Sequence, residues 1–182
     1  MKIAVMAAGG VGGYFGARLA AANHEVSFIA RGAHLNAIQD KGLKIESLCG
    51  DIDLPNAKAT NHPSDIGPVD VVIFAVKLGD MEEAAKACSP LLGENTAVIP
   101  FLNGVDAPTT LTKLLGPKHA CGGVTYIFSS ISRPGCIHHV GKFARLVFGE
   151  LDGRPSKRLK AFQAACSNSG IESLLSDDIM VA

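Results

Sequence analysis

Ala7-Ala8-Gly9-Gly10-Val11-Gly12-Gly13-Tyr14-Phe15-Gly16 follows directly on the apolar run Ile3-Ala4-Val5-Met6. Beyond it, Val11, Phe15, Leu19 and Ala22 recur at the spacing of one helix face. The order is therefore strand, tight turn, helix. In the GxGxxG fingerprint of dinucleotide-binding turns, one glycine makes the turn, a second lets pyrophosphate approach the backbone, and a third lets the helix pack closely on the sheet. In that register Gly9 and Gly12 take the second and third places, and Ala7 stands in the first. One methyl group is compatible with most backbone conformations of negative φ. A helix amino terminus offers N–H groups and partial positive charge to phosphates. Ala7, Ala8, Gly9, Gly10, Val11 and Gly12 are thus the candidate phosphate cradle.

Outward from this loop the chain alternates. Val26 to Ala30 reads as a second strand, Ala33 to Asp40 as a helix ended by Gly42, and Leu43 to Thr60 as short strands or a hairpin. Val69 to Val76 is almost continuously apolar, as expected of a parallel strand covered on both faces. A helix from about Asp80 to Ala87, a strand at Thr96 to Phe101 and a helix reaching Leu115 follow. The fold class is α/β: a doubly wound, mainly parallel sheet of Rossmann type. From Ala120 to Gly149 the helical period disappears. Segments at Val124–Ser130, Cys136–Val140 and Ala144–Phe148, turned at Arg133-Pro134-Gly135, predict an antiparallel extension. A helix at Arg154–Cys166 and a strand at Ile171–Leu175 complete a domain over residues 1–175. Ser176-Asp177-Asp178 carries an N-cap signature, so residues 176–182, through Ala182, read as the start of a helix leading into a second, helical domain that this chain lacks.

The end of the second strand bears on cofactor choice. NAD sites commonly place Asp or Glu there for the ribose 2′-hydroxyl, whereas this strand runs Phe28-Ile29-Ala30-Arg31-Gly32. A guanidinium suits the 2′-phosphate of NADP, and an absent acid removes a repulsive neighbour. Lys77 follows the strand ending at Val76, and Asn103 follows the strand ending near Phe101. Both fall at carboxyl ends of parallel strands, where such sheets bind ligands. The lysine could hold an anionic group, and the asparagine could bond a carbonyl or hydroxyl.

Composition excludes other classes. Seventeen Lys and Arg balance seventeen Asp and Glu, which argues against bulk electrostatic binding of nucleic acid or an anionic membrane. No apolar run approaches the roughly 20 residues of a membrane span, and the first strand begins at once without a signal-peptide pattern. The expected location is cytoplasmic. Cys49, Cys88, Cys121, Cys136 and Cys166 are odd in number and lack CxxC spacing, so they read as reduced thiols, mostly core. His138 and His139 are adjacent and point to opposite faces of a strand, and the other histidines lack companions at ligand spacing. No metal is assigned. No GxSxG nucleophile motif supports hydrolysis.

AxGGVGGYFGARLA at 7–20, IARGAHL at 29–35, VKL at 76–78, FLNGV at 101–105 and SDDI at 176–179 together resemble the amino-terminal domain of ketopantoate reductases, or 2-dehydropantoate 2-reductases. The resemblance spans the chain. It implies an NADPH-dependent oxidoreductase that reduces 2-dehydropantoate to pantoate, on the way to pantothenate and coenzyme A. It implies that the 7–12 loop cradles pyrophosphate, that Arg31 selects NADP, that Lys77 and Asn103 stand near the nicotinamide and the keto acid, and that the backbone around Ile131 touches the cofactor. It puts the proton donor on a lysine of the helix after SDDI, beyond Ala182, so this chain alone is expected to be little active. Separately, an apolar face exposed around the carboxyl end by the missing helices is expected to drive association as a homodimer or larger species. Two other readings stay open: a related dehydrogenase of another small 2-keto or 3-hydroxy acid, and a non-catalytic NADP-binding module.

Overall fold

The computed structural model describes residues 1–181. In chain order its strands and α-helices are β1 (Lys2–Met6), α1 (Gly10–Ala21), β2 (Glu25–Ile29), α2 (Gly32–Lys41), β3 (Leu43–Ser47), β4 (Ile52–Leu54), β5 (Lys58–Thr60), β6 (Val69–Phe74), α3 (Met81–Ala87), β7 (Leu92–Pro100), α4 (Ala107–Leu115), β8 (Cys121–Arg133), β9 (Cys136–Glu150), α5 (Lys157–Asn168) and β10 (Glu172–Leu175). Five strands form a wholly parallel sheet in the order β5-β2-β1-β6-β7. Ile3 pairs with Val26 on one side and Val71 on the other.

Burial explains why the central strands are apolar throughout. Ile3, Val5, Val71 and Ile73 join the core shared with α1, α2 and α5, where Phe15, Ile38 and Phe162 pack. Their alternate neighbours Ala4, Met6, Val72 and Phe74 enter a second core with Met81 and Ala85 of α3 and Leu111 of α4. Successive strand residues face opposite ways, so covering both faces requires an unbroken apolar run. The sheet is doubly wound as the alternation of elements predicts.

The extension departs from a purely antiparallel arrangement. β8 and β9 form a long antiparallel hairpin, and β3 and β4 form a short one. However, β9 also pairs in parallel with β3 through its first residues and with β10 through its last. One long strand thereby carries three partners, which makes the second sheet mixed. Within the Leu43–Thr60 stretch, β3 and β4 make the expected hairpin while β5 joins the main sheet beside β2. The two sheets meet where Val98 bridges in parallel to Ala120.

At the end of the described chain Ser176 Oγ accepts the Asp178 N–H at 3.1 Å, and the Val181 N–H reaches the Asp178 carbonyl at 3.3 Å. Residues 179–181 form a turn there rather than the expected start of a helix. The last residue of that expected helix start, Ala182, lies outside the described residues, and so does the expected proton-donating lysine beyond Ala182. Four of the five cysteines are buried and Cys49 is exposed. Burial pushes the Cys88, Cys121 and Cys166 thiols up to about 12, with the Glu150 carboxylate adding to the effect at Cys121. Such thiols are inert. Among the described residues, no helix is long and apolar enough to cross a membrane.

Candidate cofactor site

The chain leaves β1 for β2 on one side and later returns to place β6 on the other, so the strand order reverses at β1. Open α/β sheets form their ligand crevice outside the carboxyl ends of the strands at such a reversal. Here the strand ends are knitted together: the Ala8 N–H donates to Ile29 O at 2.8 Å, Ala75 N–H to Met6 O, and Phe101 N–H to Phe74 O at 2.8 Å. Above them lies a cleft of about 310 Å³ lined by Met6, Ala7, Gly9, Ala30, Arg31 and Lys77, with Asn61, Asp80 and Glu83 among its polar groups.

The glycines of the loop divide by what surrounds them. A Cβ on Gly12 would strike Ala7 O and fall 2.8 Å from Val5 Cγ1, and one on Gly16 would fall 2.7 Å from both Phe28 Cε1 and Val5 Cγ2. These two hold α1 against the sheet. A Cβ on Gly10 would meet the Ser129–Ser130 backbone of β8, and one on Gly13 would meet Ile137. Gly9 differs: it lines the cleft, and a Cβ there would have no neighbour within 4 Å. Its small size answers no internal contact, which fits the close approach of an external group.

Gly9 is the N-cap of α1 and makes no side-chain cap. The helix's first i to i−4 bond runs from Gly13 N–H to Gly9 O at 2.8 Å. The amides of Gly10, Val11 and Gly12 therefore lie in the first turn, whose N–H groups have no intrahelical acceptor. With the partial positive charge of the helix end, this arrangement suits a pyrophosphate. The residues present fit a dinucleotide.

Arg31 is the N-cap of α2 and also lines the cleft, with an extended backbone and a side chain 71% exposed. Its Nη2 donates to Asp80 Oδ2 at 2.9 Å. The acid missing from the end of β2 is thus supplied from a different segment. Asp80 closes the short 3-10 turn Leu78–Asp80, whose N-cap is Lys77. Lys77 is exposed and lines the cleft.

Other expected site residues do not line the cleft. Asn103 is exposed on the loop after β7 and does not line the cleft, although a Cβ on its neighbour Gly104 would come 3.7 Å from Leu78 Cδ1 in the Lys77 turn. Ile131 is 43% exposed on β8 and also lies outside the lining, whereas Ser129 and Ser130 of the same strand abut Gly10. Ala8, Gly10, Val11 and Gly12 do not line the cleft either; Ala8 lies in the turn after β1, and the other three form the first turn of α1 beside the cleft-lining Gly9.

Two residues beside the cleft give no signal in the sequence. Asp80 carries no motif of its own. His34, within IARGAHL, has no companion at ligand spacing, yet its Nδ1 accepts the Gly135 N–H at 3.0 Å. That assigns the remaining ring proton to Nε2, which donates to Ala8 O at 2.9 Å. Burial lowers the His34 pKa from its ordinary value, and the Ala8 carbonyl only partly opposes this. A larger, more open groove of about 920 Å³ is lined by Asn95 of β7, Lys118, Glu150 and Arg158 among others, but it lacks the glycine loop, Arg31 and Lys77.

Comparison with known proteins gives a consistent relation. The family model described as ketopantoate reductase PanE/ApbA matches residues 3–153. A Mesorhizobium japonicum protein named 2-dehydropantoate 2-reductase is 34% identical over 202 positions, which cover 98% of this chain and 61% of that protein. Bacillus subtilis YkpB, named an uncharacterized oxidoreductase, is 32% identical over 179 positions, covering 98% of this chain and 58% of its own. The crystal structure of 2-dehydropantoate 2-reductase from Porphyromonas gingivalis matches with a TM-score of 0.91 at 34% identity, over 99% of this chain and 65% of that one. The chain spans about three fifths of the length of the curated relatives it matches.

Proposed function

This chain belongs to the ketopantoate reductase family, and from that premise we propose that it is the cofactor-binding part of an NADPH-dependent oxidoreductase that reduces 2-dehydropantoate to pantoate for pantothenate and coenzyme A synthesis. The observation that carries the proposal is the meeting of Gly9, Arg31 and Lys77 around one cleft at the carboxyl ends of the parallel strands. Gly9 and the first-turn amides of α1 take the pyrophosphate, and Arg31 takes the 2′-phosphate by charge-assisted hydrogen bonds. When bound, the nicotinamide supplies a hydride to the keto carbon.

The remaining steps belong to side chains of this chain. Lys77 holds an anionic group of cofactor or keto acid at the cleft mouth, and the Asn103 amide donates to a carbonyl or hydroxyl once a ligand bridges the two loops. The backbone around Ile131 closes the cofactor side through the β8 strand that already abuts Gly10. A general acid typically contributes about 10²- to 10⁴-fold. Its proposed source is the lysine that the family resemblance implies beyond Ala182, so the chain alone is proposed to be slower than its longer relatives by at least about 10²-fold.

Association as a homodimer or larger species is proposed to use the exposed apolar face of the β8–β9 hairpin, where Tyr126, Phe128 and Phe143 are uncovered. Sedimentation of the chain and of Phe128→Ser tests it. The reaction is tested by following NADPH oxidation with 2-dehydropantoate beside other small 2-keto acids in a protein carrying this domain. Preference for 2-dehydropantoate supports the assignment, and preference for another acid moves the protein to the related-dehydrogenase reading.

A further inference from the structure

Asp80 is placed as an N-cap, but its carboxylate does not cap. It stands at the amino end of α3, where an aspartate ordinarily accepts a backbone N–H of the first turn, and it makes no side-chain cap bond. Instead Oδ2 accepts from Arg31 Nη2 at 2.9 Å, across 49 positions of sequence. Asp80, Arg31 and Gly9 line the same cleft. The cations lining it, Arg31 and Lys77, are matched by the acids Asp80 and Glu83. A site devoted to a 2′-phosphate dianion would carry an excess of positive charge, and this one is balanced.

We propose that Asp80 is a specificity-determining residue that limits the preference for NADPH over NADH by competing with the 2′-phosphate for Arg31. The proposal rests on the reading of this cleft as a nicotinamide-dinucleotide site. Without ligand, the pair holds the guanidinium at the cleft mouth. A 2′-phosphate must draw Arg31 away from Asp80 and then lie beside an uncompensated carboxylate. A 2′-hydroxyl has neither difficulty, because it can donate to the carboxylate as a ribose hydroxyl does to the acid of NAD sites. The acid that ordinarily ends β2 is thus replaced by one from the start of α3, with an arginine beside it. Such a pair accepts both cofactors, and its acid sets the ratio.

The test is the ratio of NADPH to NADH affinity, titrated calorimetrically in the 182-residue chain and in Asp80→Asn. Removal of one exposed charge beside the phosphate should raise the ratio roughly three- to tenfold at low ionic strength, with a smaller gain at high salt. Asp80→Ser, which retains an N-capping side chain without the charge, should shift the ratio the same way and serves if the asparagine variant folds poorly. An unchanged or lower ratio in either variant overturns the proposal. Arg31→Ala separates the two readings. If it leaves NADPH affinity intact, or if the unmodified chain binds neither dinucleotide, the cofactor-site reading fails and the role of Asp80 fails with it. If Arg31→Ala weakens NADPH while the Asp80 variants keep the ratio of the unmodified chain, Asp80 alone is refuted.

Discussion

His34 Nε2 donates to the Ala8 carbonyl at 2.9 Å while its Nδ1 accepts the Gly135 N–H at 3.0 Å, so one neutral imidazole joins α2, the glycine loop and the turn of the β8–β9 hairpin. His34→Ala strands both backbone groups and should cost about 1 to 3 kcal/mol in urea unfolding. His34→Gln keeps one donor and one acceptor and should recover much of the loss. The pH dependence has a definite sign. The folded-state pKa lies below the ordinary 6.5 because burial disfavours the charged ring. The unfolded chain therefore binds more protons in that window, and stability is full above 6.5 and falls as the pH drops through the lowered folded value. His24 is lowered too, by burial and then by the amino terminus. Hence His34→Gln should remove part of the acid-side loss. An identical acid limb in the variant would show that His34 does not titrate with folding.

The open side of Gly9 and the crowded side of Gly12 predict opposite phenotypes. Gly9→Val has room in the fold and normal φ, so it should cost no more than about 1 kcal/mol as a poorer N-cap. It should abolish NADPH binding by occupying the place of the pyrophosphate. Gly12→Ala must push against Ala7 O and Val5, which should cost about 1 to 3 kcal/mol in thermal or urea unfolding. Full NADPH affinity in folded Gly9→Val would show that the loop is purely structural.

Arg158 on α5 binds Glu150 at the end of β9 through Nε at 2.8 Å and Nη2 at 2.7 Å, and its Nη1 also donates to Thr96 O and Lys118 O. The two side chains are 18% and 13% exposed. Arg158→Ala leaves the carboxylate without its partner and should cost about 3 to 5 kcal/mol. Arg158→Lys cannot reproduce the planar fork and should recover little. Burial pushes the Glu150 carboxyl up, but the bonds and charge of Arg158, together with hydrogen bonds from Ser156 and Cys121, outweigh it and hold the group below its ordinary 4.5. The pair's stabilisation is thus present above that value and is lost as the pH falls through the lowered folded one. Acid unfolding followed by circular dichroism should move to higher pH in Arg158→Ala. An unmoved acid transition would show that this pair does not govern acid stability.

The sequence is most legible where one physical requirement dominates. Val69 to Val76 reads as a doubly covered strand because both of its faces are buried, and the glycine loop is legible because close packing and close approach both exclude side chains. Pairings between distant segments are less legible. The Cys136–Glu150 strand shows alternation, but nothing local states that it pairs in parallel with β3 and β10. The same is true of the site. Arg31 is visible as a cation at a strand end, whereas its contact with Asp80 depends on the tertiary placement of α3. His34 lacks a metal-like companion and so gives no signal; its partners are backbone groups of the glycine loop and the hairpin turn. At Ser176 the N-cap chemistry is real, since Ser176 Oγ accepts from the Asp178 N–H, but the described residues continue as a turn.

The most direct measurement is the calorimetric affinity of NADPH for the unmodified chain and for Arg31→Ala. Arg31 lines the cleft and is the cation proposed to meet the 2′-phosphate, and its loss would also leave Asp80 without its partner. The unmodified chain should bind NADPH more tightly than NADH, and Arg31→Ala should weaken NADPH by about 1.5 to 3 kcal/mol, as for a charge-assisted hydrogen bond, with a smaller effect on NADH. Equal affinity for both cofactors in the unmodified chain, or unaltered NADPH binding in the variant, would contradict the cofactor assignment.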